Sequence, residues 1–403
     1  MLNPPTKKQK NTTWRAWRAY WVTLIILNQY FFLYLVTKLF NKNRTKNLSL
    51  RVHQKASQRI VKNILDLKGL YIKIGQTLSI MTNFLPDAFR KKFEQLQDAT
   101  PPHPYEDVKA RFLAEFNQTP EQMFAHFDKK SIASASLGQV HVARLKDGTK
   151  LAVKLQHPNI DTLVHSDLKT IKRIYKILDF LFPTYGLMQV YQECAQMIFF
   201  ELDYEKEGKN IERIRKNFED DPSYVFPKVY WEYSSPKILS LEFIEGIKIT
   251  HTDELKKAQI DSHEVAVSLI HSYCKQIFID GVYHADPHPG NIIVQPAKSG
   301  PKRDSLDRNP AKIAMVDFGA TAVIPDNLKE GMTLFTEGII KKDTRILSTA
   351  MKQMGFIARQ ENEETFDKVV EYFYGKIKGV KIDNFKEINI GSFQHLDDIF
   401  ELQ

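Results

Sequence analysis

The stretch YHADPHPGNIIV at residues 283–294 most constrains the fold, because it places polar side chains between two apolar runs. Asp286 is followed five positions later by Asn291, and the flanking residues are typical of strands. The pattern predicts a short loop between two strands, in which an acid and an amide could serve a phosphate group and its metal ion. A plain polar turn explains the stretch equally well when it is read alone, since short motifs often match by chance.

The periodicity of apolar residues predicts helices, then strands, then helices again. Helical patterns cover residues 48–97 and 105–116, and Thr119 is a candidate N-cap for a short helix that begins at Pro120. SLGQVHVARL and KLAVKLQ are predicted strands joined by KDGT, whose Asp-Gly pair indicates a hairpin. Further predicted elements are helices at 160–182 and 188–218, strands at FPKVYWEY, KILSLEFI, NIIV and KIAMVDFG, an apolar helix that ends at Gly281, and a helical tail after Pro325. The insert at residues 295–311, rich in Pro, Ser and charge, is predicted to be an exposed loop.

Four chemical signals follow one another along these elements. LAVK ends in Lys154 on the hairpin, a later helix carries Glu201, the loop carries Asp286 and Asn291, and MVDFGA places Asp317 at a strand end. Each signal alone is explained by an exposed residue or a turn, but this is the order that protein-kinase-like enzymes use. It predicts an α+β, protein-kinase-like two-lobed fold that binds ATP and Mg²⁺. Lys154 would hold phosphates, Glu201 would position that lysine, Asn291 and Asp317 would bind Mg²⁺, and Asp286 would orient the nucleophile.

At five motifs the chain resembles the UbiB-like (AarF) family of atypical kinases. The motifs are KIGQ at 73–76, ASASLGQV at 133–140, ELD at 201–203, HADPHPGN at 284–291 and DFGA at 317–320. The resemblance implies a family-specific N-terminal helical extension whose Lys73 lies across the active site, against acidic groups such as Asp203. It also implies a role in ubiquinone or other isoprenoid-lipid biosynthesis at a membrane, with ATP hydrolysis or small-molecule phosphorylation favoured over protein phosphorylation.

The alanine-rich loop at 133–140 stands where an ordinary kinase has glycines. Alanine methyl groups restrict the backbone where glycines would let N–H groups close over phosphates, so the loop should grip nucleotide differently. Residues 242–246, with Glu242 and Ile244, would receive the adenine ring. The predicted nucleotide contacts in the loop are Ala133, Ala135, Ser136, Gly138, Gln139 and Val140.

The N-terminal segment differs from the rest of the chain in charge and aromatic content. It has no acidic residue before Asp66 and carries 13 Lys and Arg, while the remaining chain is mildly acidic despite a net charge of +9. AYWVTLIILNQYFFLYLVT at 19–37 has no charged residue, and Arg15, Arg18, Lys38, Lys42 and Arg44 flank it. The pattern predicts a basic, aromatic helix that lies on an anionic membrane, with a true span, a buried helix or a mitochondrial targeting sequence as alternatives.

Charge and cysteine content narrow the class of protein. A nucleic-acid binder usually spreads basic charge over its folded surface, whereas here it is confined to the N-terminal segment, so no nucleic-acid partner is expected. The two cysteines, Cys194 and Cys274, have no paired spacing and indicate reduced thiols in a cytosol-like compartment. The expected location is the cytoplasmic side of a bacterial inner membrane, with a mitochondrial membrane as the alternative.

The sequence therefore predicts four segments: a membrane-associating segment (1–47), a helical extension (48–126), a kinase-like N-lobe (127–244) and a kinase-like C-lobe (245–403). The predicted function is a membrane-associated atypical kinase or ATPase that supports ubiquinone biosynthesis. Its expected partners are ATP, an anionic membrane surface, isoprenoid quinone precursors and quinone-biosynthesis enzymes. Two alternatives remain open at this point: a nucleotide-binding pseudokinase scaffold for lipid-biosynthesis enzymes, and a conventional Ser/Thr kinase, which would need a free peptide groove.

Overall fold

The computed structural model describes residues 11–39, 42–80, 87–93, 96, 102–181, 187–296, 311–356 and 363–377. These residues combine helices with separate, mainly antiparallel sheets, which confirms the predicted α+β class. They form two compact units. The first contains the described residues up to Ala266 together with Ala285–Thr321, and the second contains Val267–His284 together with the described residues from Ala322 onward. The predicted division into four segments stays a prediction.

Helices open the first unit. They are α1 (Thr12–Leu39), α2 (Lys42–Leu67), α3 (Leu70–Ile80) and α4 (Asp87–Phe93). Their apolar residues form one core, in which Leu67, Leu70 and Ile72 are fully buried. In the described part of the chain, α1 is the one helix that is long and apolar enough to cross a membrane, by length and composition.

The start of α1 is fixed to the body by two arginines. The guanidinium of Arg15 is buried and donates from Nε to Asp167 at 2.9 Å, and Arg18 donates from Nε to Asn63 at 2.9 Å and pairs with Asp66. These two arginines, which flank the predicted membrane segment in the sequence, therefore bind side chains of the protein itself. Burying a guanidinium is tolerated because a carboxylate partner offsets the loss of its hydration.

A five-stranded sheet follows two short helices, α5 (Tyr105–Phe116) and α6 (Pro120–Met123). Thr119 is the N-cap of α6, as the sequence predicts, and it forms a capping box with Gln122. The strands are β1 (His126–Phe127), β2 (Ala133–Ser134), β3 (Gly138–Arg144), β4 (Lys150–Gln156) and, later in the chain, β6 (Ile238–Glu242). β3 and β4 form the predicted antiparallel hairpin, and β4 also pairs with β6.

Three helices connect β4 to the strands that follow. They are α7 (Ile160–Leu181), α8 (Leu187–Glu201) and α9 (Tyr204–Asn217). The sequence predicts one continuous helix over 188–218, but the structure breaks it at Leu202 and Asp203. The side chain of Asp203 caps the new helix by accepting a hydrogen bond from the backbone N–H of Lys206 at 2.9 Å.

A four-stranded sheet carries the loop that holds Asp286 and Asn291. Its strands are β5 (Tyr224–Val225), β7 (Ile247–Lys248), β9 (Ile292–Gln295) and β10 (Lys312–Met315), in the order β5-β10-β9-β7. β9 and β10 match the predicted strands NIIV and KIAM. The predicted strand FPKVYWEY is wrong, because Trp231–Tyr233 forms a 3-10 turn there. Residues 297–310 of the predicted exposed insert lie outside the described residues.

The second unit is mainly helical after Pro325, as predicted. Besides most of α11 (Ser262–Cys274) it holds β8 (Val282–His284), which pairs with β11 (Thr321–Val323), and α12 (Asp326–Lys341), α13 (Thr344–Gln353) and α14 (Glu363–Ile377). The short helix α10 (Thr252–Lys257) precedes α11 in the first unit. Gly281 ends the helical run with a φ of 66°, a left-handed conformation that glycine adopts readily.

Candidate functional site

Lys154 lies in β4 and reaches two carboxylates. Its Nζ is 2.9 Å and 3.0 Å from the two carboxylate oxygens of Glu207, and 3.0 Å from Oδ1 of Asp317. The side chain of Glu207 has no exposed surface, whereas that of Asp317 is half exposed. Glu207 thus holds the lysine from the protein interior, and Asp317 contacts it on the side that faces solvent.

The structure corrects the predicted partner of Lys154. Glu201 does not contact it; the carboxylate of Glu201 instead pairs with Nζ of Lys73 at 2.8 Å. The reason is the break between α8 and α9: Glu201 ends one helix, and Glu207 lies in the first turns of the next. Asp203, the expected partner of Lys73, is the N-cap of α9.

The charges of Lys154, Glu207 and Asp317 shift one another's pKa values. Burial raises the pKa of Glu207 to about 7 although Lys154 opposes the rise. Burial would lower the pKa of Lys154, but attraction to Asp317 and Glu207 outweighs it and raises the pKa well above its ordinary value. Burial would also raise the pKa of Asp317, yet Lys154, a backbone hydrogen bond from Gly319 and the charge of Lys73 lower it to about 2. Asp317 is therefore a carboxylate at any physiological pH.

The backbone at Asp317 adopts an unusual conformation. Its φ of 64° is in the left-handed region, which Asp tolerates better than most residues. The N–H of Gly319 donates to Oδ1 of Asp317 at 3.3 Å, and a Cβ at Gly319 would lie 3.3 Å from the same oxygen and 3.8 Å from Glu207. The turn after β10 thus brings the Asp317 carboxylate back toward Lys154.

The loop with Asp286 and Asn291 is tied to the Asp317 segment at both ends. The N–H of Ala285 donates to the carbonyl of Ala320, and the N–H of Val316 donates to the carbonyl of Asn291, both at 2.9 Å. Within the loop, the Asn291 amide donates to Oδ2 of Asp286 at 2.9 Å. The structure therefore brings the predicted acid, amide and second acid into neighbouring positions.

The oxygen donors here suit Mg²⁺, which prefers carboxylate and amide oxygens and usually keeps water or phosphate oxygens among its ligands. Asp286, Asn291 and Asp317 supply this chemistry. In the part of the chain that the structure describes, no group of three or more His, Cys, Asp or Glu could hold a metal ion by itself. The residues fit a cation that phosphates help to bind.

The alanine-rich loop is closed by local hydrogen bonds. The N–H of Ala135 donates to the carbonyl of Gly138 at 2.8 Å, and Ala133 pairs with Val140 in the register of β2 and β3. A Cβ at Gly138 would come within 2.6 Å of the Leu155 carbonyl and 2.7 Å of the Tyr204 hydroxyl. Glycine is needed here for close packing and not for conformational freedom.

Two polar loop residues are buried. Ser136 is 5% exposed, and Gln139 is 2% exposed. The Gln139 side chain accepts a hydrogen bond from the backbone of His103 at 2.7 Å and contacts the ring of His141. A nucleotide contact at Gln139 would therefore use its backbone.

His157 also holds this loop through hydrogen bonds, and no pattern in the sequence predicts that role. Its backbone N–H donates to Leu137 at 3.0 Å, and its ring Nε2–H donates to the carbonyl of Ala135 at 3.2 Å. The ring stacks on His103 at 3.9 Å. Burial and the neighbouring His103 lower the pKa of His157 to about 3, so the ring is neutral.

The predicted adenine segment follows β6. Glu242 is the last residue of that strand, where its backbone N–H donates to the carbonyl of Lys228 at 2.8 Å, and Ile244 is buried two residues later. These positions stay predictions for adenine contact.

Comparison with known proteins gives a family match. The ABC1 atypical kinase-like domain matches residues 95–351. The chain is 36% identical over 300 residues to the Arabidopsis thaliana protein named ACTIVITY OF BC1 COMPLEX KINASE 8, chloroplastic, covering 73% of this chain and 38% of that protein. It is 32% identical over 305 residues to AarF domain-containing kinase 1 of Drosophila melanogaster, covering 76% of this chain and 57% of that protein. The chain therefore spans about two fifths to three fifths of the length of these relatives.

A solved structure is also similar. The Mycobacterium tuberculosis protein Rv3197, determined in complex with erythromycin, is 28% identical and has a TM-score of 0.50, covering 83% of this chain and 82% of that one.

Proposed function

We propose that this chain, which belongs to the ABC1 atypical kinase-like family, binds ATP with Mg²⁺ and either hydrolyses it or transfers its terminal phosphoryl group. The observation that carries the proposal is the position of Lys154, held by buried Glu207 and within 3.0 Å of Asp317. Family membership also confirms the predicted UbiB-like (AarF) resemblance and the kinase-like fold.

Each residue of the cluster has a distinct task in this proposal. Lys154 contacts nucleotide phosphates, and Glu207 takes the positioning role that was predicted for Glu201. Asn291 and Asp317 would hold Mg²⁺, which when bound neutralises phosphate charge and aligns the phosphoryl group. Asp286 orients the nucleophile and accepts its proton.

The pair of Lys73 and Glu201 supports a small acceptor or water over a peptide. Lys73 comes from α3, outside the sheet and loops that carry the other site residues, and its charge is felt at Asp317. A side chain from the helical extension thus lies beside the reacting groups, where a peptide kinase needs open space. The phosphoryl acceptor we propose is water or a small phenolic isoprenoid.

The proposed setting is a membrane surface where isoprenoid quinones such as ubiquinone are made. α1 presents an apolar outer face with Trp17, Trp21, Leu24, Phe31 and Leu35 exposed, while its other face packs against α2 and α7. A helix held along the body in this way supports attachment in the membrane plane over a lone span.

Basic side chains support an anionic membrane as the partner. Arg51, Lys55 and Lys62 are exposed on α2, and Lys169, Lys172 and Lys176 are exposed on α7. Each such cation near an anionic surface adds about 1 kcal/mol of attraction. The compartment we propose is the cytoplasmic side of a bacterial inner membrane, with a mitochondrial membrane as the alternative.

Two assays test the proposal. Purified protein with anionic vesicles should release phosphate from Mg-ATP, and Lys154→Met should abolish the release in a protein that still shows a cooperative melting transition. Nucleotide binding without any release by the wild-type protein would favour the scaffold alternative. In cells that lack their own ABC1-type kinase, the wild-type chain should restore ubiquinone content and Lys154→Met should not; equal restoration by both would refute the role of turnover.

A further inference from the structure

Two adjacent apolar cavities lie between α1 and the helices that pack against it. The inner one has a volume of about 390 Å³ and is lined by residues of α1, α2, α3, α4, α7 and α8. The outer one has a volume of about 880 Å³ and lies between the second half of α1 and the end of α7. Ile26 and Leu27 of α1 and Leu178 of α7 line both, so the two spaces are adjacent at these residues.

The size and lining of these cavities indicate a ligand site. Protein interiors contain few voids larger than a water molecule, whereas small-molecule pockets have volumes of about 300–1,000 Å³. No Lys, Arg, Asp or Glu occurs among the described residues that line either cavity. Most lining residues are aliphatic or aromatic, and such a space does not hold water well.

The shape favours a long chain over a compact ligand. The lining residues on α1 run from Ala19 in the inner cavity to Thr37 in the outer one. At 1.5 Å per residue this stretch of helix is about 27 Å long, which is comparable to the thickness of the hydrocarbon core of a bilayer. A single extended hydrocarbon chain could follow it.

The outer cavity opens toward the exposed face of α1. Leu24, Phe31 and Tyr34 line it, and their side chains are 51%, 61% and 58% exposed. These residues belong to the apolar surface that we propose faces the membrane, so a lipid could enter directly from the bilayer.

Two polar features select the end group of the ligand. The hydroxyl of Tyr71, which lines the inner cavity, is buried and has no hydrogen-bond partner among the described residues. Burial raises its pKa, so it stays protonated and neutral. In the outer cavity Tyr30 is hydrogen-bonded to His53 at 2.7 Å, and burial lowers the pKa of His53. The Arg15 guanidinium lies 5.4 Å from the centroid of the Tyr71 ring, but Asp167 neutralises it, so neither end offers a net charge, which favours an uncharged ligand.

We propose that the paired cavities bind one lipid with a single long hydrocarbon chain and an uncharged, hydrogen-bonding head that reaches Tyr71. The chain lies along α1, and the head supplies the partner that the buried hydroxyl lacks. This site is separate from the nucleotide site, and its test does not depend on ATP turnover.

Photolabelling tests the location. Full-length protein in phospholipid nanodiscs is irradiated with hexadecanol that carries a diazirine in mid-chain, and labelled peptides are mapped. We expect label near Ile26 and Ile174, competed by unlabelled hexadecanol or geranylgeraniol; the more effective competitor distinguishes a linear from an isoprenoid chain. Label confined to the outward residues Trp17 and Trp21, with no competition, would mean partition into the bilayer only and would overturn the proposal.

Three variants test the mode of binding. Leu178→Trp fills the junction of the cavities and should weaken hexadecanol competition about tenfold or more, while Ile177→Trp, on the exposed side of the same helix, should leave it unchanged. Tyr71→Phe should weaken hexadecanol about fivefold but leave hexadecane unaffected, because only the alcohol can use the hydroxyl. Melting temperatures identify any variant that fails to fold. If folded Leu178→Trp and Ile177→Trp bind hexadecanol equally well, the proposed binding site is wrong. If Tyr71→Phe loses equal affinity for hexadecanol and hexadecane, the proposed contact between Tyr71 and the head group is wrong.

Discussion

The carboxylate of Glu207 holds the ammonium of Lys154 with both of its oxygens, at 2.9 Å and 3.0 Å, and has no exposed surface itself. The pair therefore behaves as one unit: without Lys154 the buried carboxylate of Glu207 loses its partner, and without Glu207 the lysine keeps only the more exposed Asp317. Glu201, only six residues earlier, belongs to a different ion pair.

A double-mutant cycle on ATP binding tests this pairing. Lys154→Met and Glu207→Gln should each weaken ATP binding about tenfold or more, and their combination should cost much less than the sum, with a coupling of about 1–3 kcal/mol. The matched cycle of Lys154→Met with Glu201→Gln should be additive. Calorimetric titration supplies the affinities. Coupling to Glu201 in place of Glu207 would show that the lysine is positioned as the sequence alone suggested.

Asp203 gives a second test, because its structural task needs an oxygen and not a charge. Asp203→Asn should retain the cap of α9, since Asn is an equally good N-cap, whereas Asp203→Ala should lower the free energy of unfolding by about 1 kcal/mol. Urea denaturation of both variants measures the difference. A loss of stability in Asp203→Asn equal to that in Asp203→Ala would indicate that the negative charge matters, as an ion pair with Lys73 would require.

His157 should make the folded state sensitive to acid. Its pKa is about 3 when folded, against about 6.5 in the unfolded chain, so the unfolded chain takes up the proton first as the pH falls. The stabilising contribution is complete above pH 6.5 and shrinks by about 1.4 kcal/mol per pH unit below it, or about 2 kcal/mol by pH 5.

The measurement compares unfolding free energies of the wild type and His157→Phe between pH 7 and pH 5. Phe keeps a ring against His103 but cannot titrate. Contributions from other groups, such as Glu207 with its raised pKa, are common to both proteins and cancel in the difference. Parallel pH profiles would contradict the assignment of a neutral, buried His157.

The outer face of α1 should contribute to membrane binding. Leu24→Gln places a polar group on that face and should weaken binding to anionic vesicles about fivefold to tenfold. Leu113→Gln is the matched control, because Leu113 on α5 is 47% exposed and Leu24 is 51% exposed. Vesicle co-sedimentation reports the affinities. An equal effect of both substitutions, or none of either, would argue against attachment through this face.

The sequence predicted the elements whose determinants are local. The hairpin around Lys154 follows from alternating residues and an Asp-Gly turn, and α6 follows from Thr119 and Pro120. The loop between Asp286 and Asn291 was recognisable because both side chains lie within one short segment.

What the sequence missed depends on contacts between distant segments. Glu207 meets Lys154 across 53 positions, and periodicity alone could not show which of several acids would do so. One local signal was present: Asp203, with Glu205 and Glu207 soon after it, has the composition of a helix start. This signal predicts that a new helix starts at Asp203, which would place Glu201 and Glu207 on separate helices.

The partners of the N-terminal arginines could not be predicted for a similar reason. Arg15 looked like a flanking cation because its partner, Asp167, is 152 residues away in the chain. His157 likewise owes its low pKa to burial and to His103, neither of which the sequence displays.

The most direct test of the central claim is the magnesium dependence of ATP binding and turnover in Asp317→Asn. Asn tolerates the left-handed backbone at this position, so the fold should be retained, but its neutral amide is a weaker ligand for a hard cation. Asp253→Asn, at an exposed site on α10, controls for the loss of one negative charge. We predict that Mg²⁺ strengthens ATP binding and supports turnover in the wild type and in Asp253→Asn, and does neither in Asp317→Asn. Unchanged magnesium-dependent turnover in a folded Asp317→Asn protein would contradict a single site in which Lys154 and Asp317 together hold the nucleotide.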